Sequence, residues 1–199
     1  MEILIATHNL GKLREYQALL PDYTLIGLSD VGLGAFDVDE TGSTFLDNAA
    51  LKAVQYARAS GRLTLSDDSG LCVDMLGGAP GVHSARYGGD GLNDADRRAY
   101  LLAQMQHIPE GQRSAHFVCV IALHDPRTGQ TYAVEGICKG HILTEERGSG
   151  GFGYDALFVP DGGDLTYAEM PPEQKDALSH RGRAVQKLIP LLRDVLAER

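Results

Sequence analysis

The chain has 199 residues, of which 43% are hydrophobic and 23% are charged, and its formal net charge is −9. This length and composition are those of a globular domain that can bury a substantial core. The negative charge argues against a nucleic-acid-binding groove, because binding a polyanion needs an excess of Lys and Arg. A small phosphorylated ligand remains compatible if positive groups are concentrated locally or if a metal ion intervenes.

The chain also lacks the sequence features of a membrane or secreted protein. No apolar run approaches the length of a membrane span, and MEILIATHNL has no basic region like that of a signal peptide. We therefore expect a cytoplasmic protein that makes no contact with a membrane. Cys72, Cys119 and Cys138 lie in apolar stretches without metal or redox spacing, so we expect reduced core thiols.

The first predicted elements are a buried strand at residues 2–6 and a helix at residues 12–20, joined by the polar loop THNLG. Leu13, Tyr16 and Leu20 recur at helical spacing in the second element. A strand, a polar loop containing glycine and a helix together point backbone N–H groups at an anion. The loop is therefore a candidate anion site.

A second helix is predicted to begin at Thr44, which forms a weak capping box with Asp47, and to end at Gly61. Asn48 and Lys52 are four residues apart and share one face of this helix. We expect that face to be polar and to lie opposite a packed stripe of small apolar residues. The expected stripe is Leu46, Ala50, Ala53 and Ala57.

The middle of the chain is predicted to pass from strand to loop and then to helix. A strand at residues 62–66 leads into a turn at DDSG, residues 67–70, and then into LCVDML. The segment GGAPGVHSARYGGDG is a glycine-rich loop, too irregular for regular structure. Asn93 and Asp96 then cap a helix that runs through AYLLAQM.

The last third of the chain is predicted to contain a hairpin and a long helix. Strands FVCVIALH and TYAVEGICKGHI are joined by DPRTGQ, a turn-rich connection that favours antiparallel pairing. Pro190 should kink or interrupt the final helix. The apolar stripe of that helix is Val185, Leu188, Ile189, Leu192, Val195 and Leu196. These elements predict an α/β or mixed α+β fold in one domain, residues 1–199, without a linker.

Thr7, Asn9 and Lys12 are candidate contacts for a phosphate group. Their loop is not the longer glycine-rich loop that ends in Gly-Lys-Ser/Thr, but Thr7 and Asn9 can bond phosphate oxygens. Lys12 lies in the first turn of a helix, where the helix dipole disfavours a cation unless an anion is nearby. A solvated surface lysine explains the same pattern, and this stretch alone does not separate the two.

The adjacent carboxylates Asp67 and Asp68 form a candidate cation site. Two neighbouring acids at the end of a strand repel each other unless a cation offsets their charge. Mg²⁺ is commonly held by one or two carboxylates with phosphates and waters, so one aspartate with Glu40 would serve, and Ser69 would add a small polar group. Alternatively, the pair merely begins a turn, Glu40 is a helix-start acid, and Lys52 is solvated.

GGFGYDALF and SHRG offer contacts for a flat base. Phe152 and Tyr154 would stack on the base, and Asp155 would accept hydrogen bonds from its edge. His180 and Arg181 carry donors suited to carbonyl oxygens. Core aromatics beside a loop, and a capping role at the surface for SHRG, are the competing interpretations.

Six stretches follow one another in order: TxNxxK, ETGxTFxxNAxxKA, DDSGL, GGAPGxxSARY, GGFGYDxxF and SHRG. The set resembles the inosine triphosphate pyrophosphatase family, the Ham1-like enzymes that hydrolyse non-standard purine nucleoside triphosphates. The resemblance spans nearly the whole chain. It implies an elongated mixed β-sheet flanked by helices, in two lobes with a central active-site cleft, and a homodimer. It also implies Mg²⁺-dependent cleavage of ITP, dITP and XTP between the α- and β-phosphates.

Matching positions carry the family's site residues onto this chain. Asp68 matches the catalytic acid, and Glu40 and Asp68 match metal ligands. His8 stands where relatives often have glycine. The substrate-binding positions implied by the resemblance are Thr7, His8, Asn9, Leu10, Gly11, Lys12, Lys52, Ser69, Phe152, Gly153, Tyr154, Asp155, Lys175, His180 and Arg181.

Three other functions remain open on the sequence. A regulatory module would bind a nucleoside triphosphate without turnover. A pyrophosphatase for modified pyrimidine nucleotides would act on pyrimidines, although FGYD and SHRG argue against it. A phosphotransferase would release a phosphorylated acceptor instead of pyrophosphate.

Overall fold

The computed structural model describes residues 2–198, which contain six strands and five α-helices. The strands are β1 (Glu2–Ile5), β2 (Thr24–Gly27), β3 (Thr64–Val73), β4 (Ser114–Asp125), β5 (Gln130–Ile142) and β6 (Phe158–Pro160). The helices are α1 (Leu10–Leu19), α2 (Phe45–Ser60), α3 (Asp94–Gln104), α4 (Pro172–Leu178) and α5 (His180–Ala197). None of the helices within residues 2–198 combines the length and apolar character needed to cross a bilayer.

The strands form one mixed sheet in the order β2-β1-β3-β4-β5-β6. β1 pairs in parallel with both β2 and β3, whereas β5 and β6 are antiparallel. β4 and β5 are neighbours joined only by residues 126–129, in agreement with the predicted hairpin. The mixed α/β class is therefore confirmed, although the sequence did not indicate β2 or α4.

The chain divides into two compact units, each with its own hydrophobic core. Unit 1 comprises Met1–Asp68, Cys119–Gly136 and Arg181–Arg199, and unit 2 comprises Ser69–Val118 and Ile137–His180. β3, β4 and β5 contribute residues to both units. The two-lobed single domain implied by the resemblance stays a prediction.

The core of unit 1 is built on the apolar stripe of α5. Val185, Leu188, Leu192 and Val195 are buried in one cluster with residues of β1, β3 and β4. Hydrophobic burial of this stripe explains why α5 forms where the 3.6-residue periodicity predicts it. Unit 2 has a second cluster that includes Leu71, Leu101, Phe117, Phe158 and Tyr167.

The predicted turn at DDSG is wrong, because β3 continues through these residues to Val73. Asp, Ser and Gly favour turns locally, but apolar residues on both sides of DDSG are buried in the sheet. Side chains from distant helices satisfy the two carboxylates, as described below. The strand therefore carries the acids into the interior instead of ending before them.

The stripe predicted for α2 is also wrong in part. The buried residues are Asn48, Ala49, Ala53, Tyr56 and Ala57, whereas Leu46 is 49% exposed. The Asn48 side chain accepts a hydrogen bond from the Gly42 N–H and donates one to Asp68. These bonds let a polar residue replace Leu46 on the buried face, because a satisfied amide can be buried at little cost.

Two further local predictions can be compared with the structure. Pro190 does not interrupt α5, which continues to Ala197 although the proline ring removes a backbone donor, and a kink at Pro190 stays a prediction. The missing donor leaves the Gln186 carbonyl oxygen without its helical hydrogen bond. Because Gln186 and Pro190 are both exposed, water can bond this oxygen while the opposite face of α5 packs in the core. The loop predicted after Gly77 contains a 3-10 helix at Gly81–Arg86. There Ser84 is buried and its hydroxyl oxygen accepts a hydrogen bond from the Leu71 N–H.

Candidate active site

The loop before α1 is organised by the side chain of Asn9. Its Oδ1 accepts hydrogen bonds from the backbone N–H groups of Gly11 (2.8 Å) and Lys12 (3.1 Å), which makes Asn9 the N-cap of α1. Thr7 Oγ1 accepts a further bond from the Asn9 N–H at 3.1 Å. The helix therefore begins at Leu10, two residues before the predicted start, and Leu10 itself is exposed.

The ring of His8 bonds within unit 1. Its Nε2 lies 3.1 Å from the Phe36 carbonyl oxygen and 3.0 Å from the Tyr56 hydroxyl, which itself donates to the Phe36 carbonyl. His8 thus ties the loop to α2 and to the segment that precedes α2. The assignment of His8 as a substrate contact stays a prediction, and the structure gives it an anchoring role.

Lys12 points at the first of the two adjacent carboxylates. Its Nζ lies 3.0 Å from Asp67 Oδ2, and its side chain is only 15% exposed. The interpretation of Lys12 as a solvated surface lysine is therefore wrong. A buried anion next to the first turn of α1 offsets the unfavourable interaction of Lys12 with the helix dipole.

Asp67 is also paired with Arg181, the second residue of α5. Arg181 Nη2 donates to Asp67 Oδ2 at 3.1 Å, and Nη1 donates to Glu15 on α1. Burial alone would raise the pKa of Asp67, but the charges of Lys12 and Arg181 outweigh it and hold the pKa well below its usual range. Asp67 is thus an ionised, paired carboxylate.

Asp68 has a different environment, as expected for consecutive residues of a strand. Its Oδ2 accepts a hydrogen bond at 3.1 Å from Asn48 on α2, whose Oδ1 accepts from the Gly42 N–H at 2.7 Å. Burial raises the pKa of Asp68, the charge of Glu40 adds to this, and Lys52 opposes it. Asp68 is therefore the carboxylate of the pair that holds a proton more readily.

Lys52 and Glu40 form an ion pair in the same cluster. Burial lowers the pKa of Lys52, but the negative charges of Asp67, Glu40 and Asp68 outweigh it, so the net pKa is raised. Lys52 is thus a partly buried cation, and its interpretation as a solvated lysine is wrong. We call Lys12, Glu40, Lys52, Asp67 and Asp68 the charged cluster.

The charged cluster suits a metal that arrives with its substrate. Within residues 2–198, no three His, Cys, Asp or Glu side chains are grouped so that they alone could hold a metal ion. Glu40 and Asp68 supply two carboxylates, and both act electrostatically on Lys52. Two carboxylates fit Mg²⁺, which takes its remaining ligands from phosphates and water. They do not fit a structural zinc site, which needs four protein ligands, mostly Cys and His.

In unit 2, Asp155 organises the loop GGFGYD. Its Oδ2 accepts hydrogen bonds from the Phe152 N–H (2.8 Å) and from Lys175 Nζ (2.7 Å). Lys175 is buried, and its Nζ lies 5.0 Å from the centre of the Phe152 ring and 5.6 Å from that of Tyr167. The lysine therefore makes both a salt bridge and cation–π contacts.

His180 belongs to an aromatic stack in unit 2. Its ring is 4.6 Å from that of Phe117 at an interplanar angle of 11°, and Tyr167 stacks on the same pair. We call Phe117, Phe152, Tyr167, Lys175 and His180 the aromatic cluster. Stacking fixes the plane of the imidazole, which is a precondition for aiming a ring nitrogen at a carbonyl oxygen.

Tyr154, Ser69 and Arg181 need separate mention among the predicted substrate residues. The Tyr154 hydroxyl donates to the Ser84 carbonyl oxygen at 2.9 Å, and burial raises its pKa, so Tyr154 anchors the loop in the core. Ser69 is partly exposed on β3. Arg181 is 1% exposed with its guanidinium on Asp67 and Glu15. Contact of these residues with a substrate stays a prediction.

Sequence reasoning missed several residues that build these clusters. Glu15 stands one helical turn after Lys12, and this spacing was a usable signal. Asn48 is expected on a polar face of α2 opposite the packed stripe, but the structure buries it. Phe117 begins the apolar run of β4 and Tyr167 lies in a loop, so nothing in the local pattern separated them from ordinary core residues.

Comparison with known proteins agrees with the motifs. A profile of the Ham1 family matches residues 3–191. The chain belongs to the Ham1 family. A curated relative from Streptomyces avermitilis, named dITP/XTP pyrophosphatase, is 46% identical over 200 residues and 98% of each chain is covered. A relative of the same name from Corynebacterium diphtheriae is also 46% identical, with 96% of this chain and 97% of the relative covered.

Solved structures of the Ham1 family have the same fold. A HAM1 protein from Coxiella burnetii superimposes with a TM-score of 0.87 at 40% identity, covering 98% of this chain and 99% of the other. The Ham1 protein of Staphylococcus aureus gives a TM-score of 0.86 at 40% identity with the same coverage. The family predicted from the six ordered stretches is therefore confirmed.

Proposed function

We propose that this Ham1-family protein is a hydrolase that converts non-standard purine nucleoside triphosphates, namely dITP, XTP and ITP, to the monophosphate and pyrophosphate. The observation that carries the proposal is the environment of Asp68, a buried carboxylate with a raised pKa beside Lys52 and Glu40. The curated relatives named dITP/XTP pyrophosphatase support the choice of reaction and substrate.

Glu40 and Asp68 would hold a divalent cation, and we propose that it is Mg²⁺. Bound there, it would offset the charge of the phosphates and act as a Lewis acid. Lys12 and Lys52 would bind phosphate oxygens and stabilise the negative charge that develops on the departing pyrophosphate. This arrangement explains how an acidic protein would bind a polyanion, because the divalent cation and the two lysines together would offset the charge of the three carboxylates and of the phosphates.

Asp68 is the proposed general base. It would accept a proton from a water molecule whose oxygen attacks the α-phosphorus, while the bond to the bridging oxygen of the β-phosphate breaks. Burial and the charge of Glu40 raise the pKa of Asp68 in the protein without a cation, and a divalent cation bound to this carboxylate would lower it again. The Asn48 amide holds the carboxylate in one orientation through its bond to Oδ2.

The aromatic cluster is the proposed recognition site for the base. Phe152 would stack on the ring, and His180 would donate to the 6-oxo group of hypoxanthine or xanthine, with Arg181 as the second predicted donor. Adenine carries an amino group at that position and would leave a buried donor unpaired. Unpaired buried polar groups discriminate strongly, because their desolvation is not repaid.

An end-point assay tests the proposal. ITP, XTP, dITP, ATP, GTP and dTTP are offered separately with Mg²⁺, and phosphate is separated from pyrophosphate. We expect pyrophosphate and monophosphate from the first three and little product from the others, with no turnover in EDTA. Binding of ITP without turnover would support a regulatory module instead, and equal turnover of all six would contradict the base site.

The homodimer and the cytoplasmic location implied by the family resemblance are part of the proposal. Light scattering coupled to size-exclusion chromatography measures the mass directly, and a mass of one chain at micromolar concentration would contradict the dimer. Fractionation of cells that express the protein tests the location.

A further inference from the structure

The first turns of α3 hold both backbone polar groups of Gly153. Asp94 Oδ2 accepts a hydrogen bond from the Gly153 N–H at 2.7 Å, and Arg98 Nη1 donates to the Gly153 carbonyl oxygen at 2.8 Å. Asp94 and Arg98 are four residues apart, so both side chains leave the same face of the helix. Both bonds involve a charged group, which makes them stronger than neutral bonds of the same length.

Gly153 is a position where such restraint matters. Its φ is +58°, in the left-handed region that glycine enters without steric cost but also leaves easily. The residues on either side are Phe152, which we propose as the surface for the base, and Tyr154. Two bonds from one helix hold Gly153 in a single conformation directly beside Phe152.

α3 is itself firmly placed in unit 2. Asn93 and Asp96 form a reciprocal capping box at its start, and Leu101 and Met105 are buried in the core of the unit. The helix can therefore act as a fixed support for the loop.

Arg98 restrains a second point of the same loop. Its side chain is 16% exposed, and Nη2 lies 3.0 Å from Glu146, seven residues before Gly153. The planar guanidinium can hold two partners at once in a fixed geometry, which an ammonium group does less well. On the other side, the Gly150 N–H donates to the Ala168 carbonyl oxygen at 3.0 Å. Arg98 thus contacts both ends of the segment from Glu146 to Gly153 and restrains it.

We propose that Asp94 and Arg98 are positioning residues for base recognition, which act by holding Gly153 so that Phe152 presents its ring to the purine. This inference rests on the proposed function. It assigns a role in specificity to α3, whose sequence matches none of the stretches that identify the family. Neither residue is proposed to touch the substrate.

The test compares Arg98→Ala with the wild type in steady-state kinetics on ITP and ATP. We expect KM for ITP to rise roughly tenfold, because one charged hydrogen bond is lost, while kcat stays within about twofold. The ratio of kcat/KM for ITP over ATP should fall accordingly. Arg98→Lys should recover part of the loss in KM, because the lysine ammonium group can still donate to the Gly153 carbonyl oxygen. Gln104→Ala, on an exposed turn of the same helix, is the matched control.

A double-mutant cycle with Phe152→Ala separates positioning from general loosening. If Arg98 acts through Phe152, adding Arg98→Ala to Phe152→Ala should change KM by less than about twofold. Fully additive effects, or an unchanged ITP-to-ATP ratio in Arg98→Ala, would overturn the inference. Asp94→Ala provides a second variant should Arg98→Ala fold poorly, since Asp94 is half exposed, and it should show the same rise in KM.

The wild-type measurements distinguish failure of the positioning role from failure of the proposed function. If the wild type releases pyrophosphate from ITP and not from ATP, but the Arg98 and Asp94 variants keep this preference, the proposed function stands and the positioning role is wrong. If the wild type releases no pyrophosphate from any purine triphosphate, the proposed function fails and the inference fails with it.

Discussion

Replacing each of the two adjacent aspartates by asparagine should produce opposite phenotypes. Asp68→Asn removes the proposed base, which is also a proposed ligand of the cation, but keeps the size of the side chain and an oxygen that can accept from Asn48. Asp67→Asn removes the anion that lies between Lys12 (3.0 Å) and Arg181 (3.1 Å). We expect the first variant to lose activity and keep its stability, and the second to lose stability.

The magnitudes follow from burial and pairing. Asp67 is 2% exposed, and removing one member of a buried ion pair costs about 3–5 kcal/mol because its partners stay charged. Arg181 keeps Glu15 and Lys12 can reach water, so we expect the lower end, about 3 kcal/mol. For a chain of this length that lowers Tm by roughly 6–12 °C. Loss of a general base should lower kcat about 10²- to 10⁴-fold.

The assay measures pyrophosphate release from ITP at about 25 °C, where both variants should be folded, together with thermal unfolding followed by circular dichroism. Asp68→Asn should unfold within about 3 °C of the wild type, because burial already disfavours its charge. If Asp68→Asn keeps more than about a tenth of wild-type kcat, Asp68 is not the base. If Asp67→Asn is inactive with an unchanged Tm, the two roles are exchanged.

Three further variants test burial and packing, one at His124, one at Gly42 and one at Lys175 of the aromatic cluster. His124 is buried, and its ring forms a hydrogen bond with the Thr131 hydroxyl. Burial lowers the pKa of His124 and the positive charge of Arg58 lowers it further, so the unfolded state binds more protons than the folded state. The free energy of unfolding should therefore fall as pH drops below about 6.5, and His124→Asn should flatten this decline in urea titrations. Gly42→Ala places a Cβ 2.6 Å from Asn48 Oδ1, so we expect a loss of about 1–3 kcal/mol in the same titrations and a lower kcat. Lys175→Met removes a buried charged bond, so KM for ITP in the pyrophosphate assay should rise roughly tenfold to a hundredfold.

Each of these expectations has an outcome that contradicts it. Equal pH profiles for His124→Asn and the wild type would mean that other groups cause the decline. A stable, fully active Gly42→Ala would show that the backbone before α2 moves freely. An unchanged KM in Lys175→Met would remove Lys175 from the base site, and Lys187→Met, on the exposed face of α5, is its control.

The sequence alone determined the family and much of the secondary structure. Six stretches in a fixed order predicted the Ham1 family, and the stripe on α5 predicted the packing of Val185, Leu188 and Leu192 in the core. Both depend on information that is local or ordered along the chain. A helix periodicity is visible within a few turns, and Thr44 caps α2 as predicted because capping involves only neighbouring residues.

The tertiary structure decided which partner each charged residue takes. Asp67 and Asp68 are adjacent in sequence, yet their surroundings differ because a strand sends consecutive side chains to opposite faces. One meets Lys12 and Arg181, the other meets Asn48, and these partners come from three different helices. The local pattern of Asp-Asp-Ser-Gly favours a turn, and only charges from distant segments make a buried strand favourable there. Pairing energies between residues far apart along the chain are invisible in any short window, so the sequence predicts candidate site residues but not the partners that each of them takes.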